Sequence, residues 1–127
     1  MKRQAGPWLR QKESGTSIVQ ELWLAATFWR RLKGLLGTKE LLPGQGLLLR
    51  PCNSVHTIGM AYALDVVFLS RDFQVLRVVE NLRPRRFACH FAAYQVLELP
   101  SGTIASCGIA PGQAFELGVF DGNTEVT

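Results

Sequence analysis

The sequence predicts a single, mainly β domain, α+β at its edges, and three observations carry that expectation. Apolar residues come in short runs rich in Val, Ile, Leu and Phe, as in GLLLR, ALDVVFL, QVLRVV and YQVLEL. Turn formers separate these runs, among them LPGQG, SRDF, LPSG and APGQ. Helical periodicity is confined to two or three short stretches, with no heptad, internal repeat or low-complexity segment. A chain of 127 residues fits one domain able to bury a core without disulfide or metal staples. The whole reads as compact and mainly antiparallel.

Residues 1–16 mix charge with Gly, Pro and Ser without any period, and are expected to be a loose basic leader. SIVQELWLAA reads as one strand, with Ile18, Leu22 and Leu24 on one face and Val19 and Trp23 on the other. TFWRRLKGLLG places Phe28, Leu32, Leu35 and Leu36 at helical spacing between a Thr27 cap and a Gly37 stop; Arg30, Arg31 and Lys33 lie on its other face. GLLLRP is a buried strand ended by Pro51. ALDVVFLSRDFQVLRVVENL reads as an antiparallel hairpin around Ser70–Phe73, and LRPRRFACHFAA as a loop with three arginines. AYQVLELP is a strand, SGTIASCG a short helix between a Ser101 cap and a Gly108 stop, and IAPGQAFELGVF a turn and a last strand. The expected domain spans 17–120, with 121–127 a tail.

Charge is uneven. Residues 1–40 hold eight Lys/Arg against three Glu, residues 41–86 six Arg against three acids, and residues 87–127 no Lys or Arg against four acids. The basic part would suit an acidic partner, although a bipolar solvated surface is the simpler account. Cys52, Cys89 and Cys107 are odd in number and widely spaced, which reads as reduced thiols in a cytoplasmic protein. No apolar run approaches the ~18 residues that span a bilayer, and the basic start lacks a secretory apolar segment.

One stretch raises the question of chemistry: PCNSVHTIGMAYALDVVFLS, residues 51–70, holds Cys52, His56, Met60 and Asp65. Cys52, His56 and Met60 recur every fourth residue, which would stack them on a helix, but Pro51, Asn53 and Gly59 disfavour one. On a strand, neighbours in that series stand ~13 Å apart at ~3.3 Å per residue, too far to share one ion. Cys89 and His90, adjacent on a strand, would face opposite ways. No metal and no cofactor is therefore expected. Cys52 with His56 as base and Asp65 as orienter has the residue types of a cysteine nucleophile, but no nucleophile elbow or oxyanion loop accompanies them. The simpler account makes Asp65 a carboxylate in an apolar strand, satisfied by amides or side chains of the preceding loop, with Thr57 or His56 as donors. Glu98 could pair with one of Arg83, Arg85 and Arg86. Trp8, Trp23 and Trp29 read as packing groups.

The serial order of motifs resembles the uncharacterised family catalogued as domain of unknown function 192 (uncharacterised protein family 0127). A strand ending in Ala-Ala-Thr leads to an Arg-bearing helix and Gly-Leu-Leu-Gly. GQGLLL, SVHTIGM, ALDVVFL, VLELPSG and GIAPGQAFEL follow, so the likeness covers roughly Leu22 to Leu117. The resemblance implies a β sandwich or barrel of jelly-roll character with short edge helices, and no established reaction. Where the commoner pattern has Trp-Met-x-Asn-Thr, this chain has His56-Thr57-Ile58-Gly59-Met60, as in a His-Thr-x-x-Met subtype. It also has Ala63 before Leu64-Asp65 where proline is usual, and Asp72-Phe73 in place of Asp-Gly.

The functional expectation is a binding domain for a small molecule or protein. Its candidate contacts are His56, Thr57, Met60, Asp65, Arg83, Arg85 and Arg86. The second reading is an enzyme using Cys52, His56 and Asp65. The third is an electrostatic nucleic-acid binder using Arg30, Arg31, Lys33 and residues 83–86, which is not favoured because no aromatic–basic motif is visible.

Overall fold

The computed structural model describes residues 7–24 and 40–119. Ten strands are described: β1 Trp8–Gln11, β2 Ser17–Val19, β3 Glu21–Leu24, β4 Gln45–Leu49, β5 Ser54–His56, β6 Leu64–Leu69, β7 Val75–Leu82, β8 Phe87–Cys89, β9 Gln95–Pro100 and β10 Phe115–Gly118. One helix, α1 Thr103–Cys107, lies between β9 and β10. The strands form a five-stranded sheet of order β3-β4-β9-β6-β7, a three-stranded sheet β10-β1-β2 and a two-stranded ribbon β5-β8. The five-stranded sheet is open, with β3 and β7 at its edges, so the barrel alternative does not describe it. Pairing is antiparallel except between β3 and β4, which run parallel.

Strands β4, β6 and β9 are apolar almost throughout because both of their faces are covered. Leu48, Val67, Leu69, Leu97 and Leu99 point to one side, where Leu9, Ile18, Val19, Ile104 and Phe115 complete a cluster with the three-stranded sheet and α1. Leu47, Leu49, Val66, Phe68 and Val96 point to the other, against Val55, Leu82, Ala88 and Ala93 of the ribbon side. The period of two along each strand therefore builds two cores on one sheet. Close approach of β2 needs Gly46 on β4: a Cβ there would come within 2.9 Å of Val19 Cγ2.

Asp65 sits on β6 with no exposed surface. Its Oδ1 accepts from Asn81 N–H at 2.8 Å, and its Oδ2 from Gly102 N–H at 3.0 Å and Ile104 N–H at 2.8 Å. These donors come from later in the chain, and neither Thr57 nor His56 takes that part, contrary to the expectation from sequence. A buried carboxylate needs fixed donors, and two segments supply them. One is a bulge in β7, where the register with β6 shifts between Leu64 and Val66 and Asn81 takes φ 55°. The other is the start of α1. That start has no side-chain cap of its own, and Ser101 donates instead to Asn81 Oδ1. Asp65 thus does the capping expected of Ser101. Gly108 ends the helix as expected, with φ 65°.

Four further expectations need correction or delimiting. The supposed leader contains β1, which pairs with both β10 and β2 and buries Leu9 completely. The arginine loop contains β8, and the single strand expected from Ser17 to Ala26 is broken at Gln20 into β2 and β3. The helix expected at Thr27–Gly37, with Arg30, Arg31, Lys33 and Trp29, lies outside the described residues.

Asp65→Ala strands the buried Ile104 amide and takes the acceptor from the amides of exposed Asn81 and Gly102, and should lower unfolding stability by about 1–3 kcal/mol, the cost of one orphaned buried group. Asp65→Asn keeps one acceptor oxygen and should cost less. Urea unfolding of both variants measures this; equal, near-zero changes would show that the carboxylate does not carry the contact.

Candidate functional site

The thiol–imidazole–carboxylate grouping does not assemble. Asp65 shares the face of Val67 and Leu69, whereas Cys52 packs against the cluster of Val66 and Phe68 on the other side of the sheet. The partners of Asp65 are the three main-chain amides, so it does not orient His56. Cys52 is half-buried, with its Sγ 3.0 Å from the Ser54 carbonyl. Among the described residues no group of three or more His, Cys, Asp or Glu side chains could hold a metal ion.

Thr57, Met60 and the arginines do come together, and Thr57 is the reason. It is 1% exposed. Its hydroxyl donates to the Arg83 carbonyl at 2.5 Å and accepts from Arg86 N–H at 2.9 Å. Its own N–H donates to the Arg86 carbonyl at 2.9 Å, and its carbonyl accepts from Arg85 N–H and Met60 N–H at 3.2 and 3.1 Å. Every polar group of one residue is therefore spent joining the 57–60 turn to the 83–86 turn. The two loops suspected separately from sequence are one structural unit. Met60 faces inward and packs with Leu41, Leu64 and Tyr62.

The side chains left outside are cationic and apolar. Arg83, Arg85 and Arg86 are exposed, as are Ile58 at 67% and Phe87 at 66%. Arg85 takes φ 65°, in a turn whose preceding residue is Pro84; glycine or asparagine ordinarily occupies such a position. His56 lies opposite Phe87 in the ribbon. Val55 and Ala88 are its buried pair, so His56 and Phe87 take the outward face. Segments 51–63 and 82–95, which form this region, contain no Asp or Glu. Among the described residues no acidic side chain pairs with the three arginines, so Glu98 is not their partner. Glu98 is buried at the centre of the five-stranded sheet, opposite Leu47 and Val66. Burial, then the charges of Glu98 and Glu40, push the Tyr62 phenol from 10.0 up to about 12.

Sequence reasoning missed Phe87 and Ile58. FACHF was legible as a strand, with Ala88 inward between Phe87 and Cys89, but the arginines before it read as loop. A separate cleft of about 430 Å³, lined by Lys12, Ser14, Cys107 and Gln113 among others, includes none of the residues expected from sequence.

Thr57→Val removes the hydroxyl at constant shape, and should cost about 1–3 kcal/mol by orphaning Arg86 N–H and the Arg83 carbonyl; Thr57→Ser should restore most of it. A raised tyrosine pKa means the folded state holds the phenolic proton more tightly than the unfolded chain. Stability is then fully present below pH 10 and lost as pH rises from 10.0 towards about 12. Phenolate absorbance during an alkaline titration should show a late component that vanishes in Tyr62→Phe and moves to lower pH in Glu98→Gln. A single ionisation step unchanged by either substitution would contradict the assignment.

The fold recurs in solved structures. A protein of unknown function from Novosphingobium aromaticivorans has the same fold, with a TM-score of 0.71 at 24% identity over 87% of this chain and 83% of that one. A putative transcription regulator from Sinorhizobium meliloti matches with a TM-score of 0.73 at 23% identity over 91% of this chain and 96% of that one. At these identities the likeness shows the fold alone. No curated protein matches the chain. Residues 9–117 match the family of uncharacterised proteins described as Uncharacterized ACR. The chain belongs to that family, domain of unknown function 192.

Proposed function

We propose that this protein is a binding module whose recognition surface is the joined unit of the 56–60 and 83–87 segments, and that its partner is anionic there. The observation that supports this reading is the pairing of a rigid mount with unsatisfied charge. Thr57 fixes both turns through its main-chain and hydroxyl bonds, while the three guanidiniums they present meet no carboxylate among the described residues. Arginine forks of this kind suit carboxylate or phosphate oxygens. The positive φ of Arg85 adds weight: a strained backbone holds an arginine where glycine would be easier, and strain of this kind gathers at binding sites. A location in the cytoplasm fits three half-buried cysteines that form no disulfide with one another. Among the described residues no helix is long and apolar enough to cross a membrane.

Retention on a heparin column, a simple polyanion, tests the surface. Arg85→Ala/Arg86→Ala should elute at clearly lower salt than Lys12→Ala/Arg71→Ala, which removes the same charge elsewhere. Arg85→Asn should weaken retention while raising stability by about 0.5 kcal/mol, because asparagine tolerates the left-handed backbone. Equal elution of the two double variants would show that only net charge matters and that this face is no site.

A further inference from the structure

We infer that the anionic partner of this face is a single-stranded nucleic acid; the inference rests on the binding surface proposed above and names what it takes. Recognition of a single strand needs two things together: cations for phosphates and flat rings for unstacked bases. The ribbon supplies the second beside the first. Phe87 and His56 are directly opposed on β8 and β5, which puts their Cβ atoms about 5 Å apart on one face. The neighbouring pair Val55–Ala88 is buried beneath the ribbon, so that face looks outward. Phe87 is 66% exposed, and Phe91, in the turn just past β8, is 87% exposed. A core protein has no use for two bare phenyl rings within five residues, whereas a base has a use for each.

The arginines enter at one end of the ribbon. Arg83, Arg85 and Arg86 belong to the turn that feeds β8, so a strand laid along Phe87 towards Phe91 begins among guanidiniums. No carboxylate occurs in residues 82–95 or 51–63 to repel its phosphates. A duplex fits less well, because its bases are already stacked and a ribbon three residues long per strand reads little of a groove. An acidic peptide would meet the arginines equally but would leave the rings unexplained.

The test uses the whole chain and a fluorescein-labelled oligothymidylate and oligouridylate of about eight nucleotides, within the usual span for one small β domain. Hairpin duplex of matched charge and polyglutamate serve as competitors. The expected result is single-strand binding weakened about tenfold in Phe87→Ala, as for loss of one stacked base, and weakened further in Phe87→Ala/Phe91→Ala, with Phe87→Tyr close to the parent. The affinity should fall with salt at a logarithmic slope near −2, about −0.7 for each of three phosphates. Arg85→Ala/Arg86→Ala should flatten that slope. Unchanged thermal melting of each variant, expected for exposed positions, separates loss of binding from loss of fold. Competition by polyglutamate as strong as by the single strand, with Phe87→Ala silent, would overturn the inference and leave an acidic-protein surface standing. Equal affinity for the duplex would also overturn it. If none of these probes binds and heparin retention is indifferent to the arginines, both readings fall together.

Discussion

A sheet covered on both faces cannot carry a charge unless its partners are built in, and that constraint organises this molecule around Asp65. The carboxylate stands in a strand whose other residues are all buried and apolar. Its three amide donors are therefore also the points where β7 bulges and α1 begins. One side chain thus sets the end of β7, and β7 leads directly into the arginine turn. The position of Arg83 to Arg86 follows from a buried charge on the opposite face of the sheet.

The second layer of control is Thr57. A turn bearing three arginines would sample many arrangements if held only at its ends, and each ordered side chain costs conformational entropy. A buried hydroxyl that donates to one end of the turn and accepts from the other removes most of that freedom before any partner arrives. Pre-ordering of this kind raises affinity by lowering the entropy lost on binding rather than by adding contacts. The arginines then need no internal acid to hold them, which keeps their charge for a partner.

Local pattern made part of this legible. GLLLR, LDVVFL and QVLEL are strands because no other element buries such short β-branched runs, and β6 and β7 form the expected hairpin. The resemblance to the family was likewise carried by motifs in order, and the match extends further towards the N-terminus than Leu22. What was not legible depends on distant partners. β1 has Gly and Pro just before it and charge within and after it, and is a strand only because β10 and β2 pair with it from elsewhere in the chain. Asp65 pointed correctly to a buried, satisfied carboxylate, but its donors lie 16 to 39 positions away, beyond any local rule. The site residues Thr57 and Arg83–Arg86 were each visible, and their union was not, because the atoms of the arginine turn that Thr57 binds are all main chain and carry no sequence signal. Phe87 was hidden for the converse reason: three arginines made a strand look like a loop.

The central claim is that the 56–60 and 83–87 segments form one recognition surface. Amide chemical-shift mapping during titration with the oligothymidylate tests it most directly, since it reports contact at every residue without altering any. Perturbations should concentrate at His56 to Met60 and Arg83 to Phe91, with the Lys12–Cys107 cleft on the far side unmoved. Perturbations centred on that cleft, or scattered over every basic residue without a focus at Thr57 and Phe87, would contradict it.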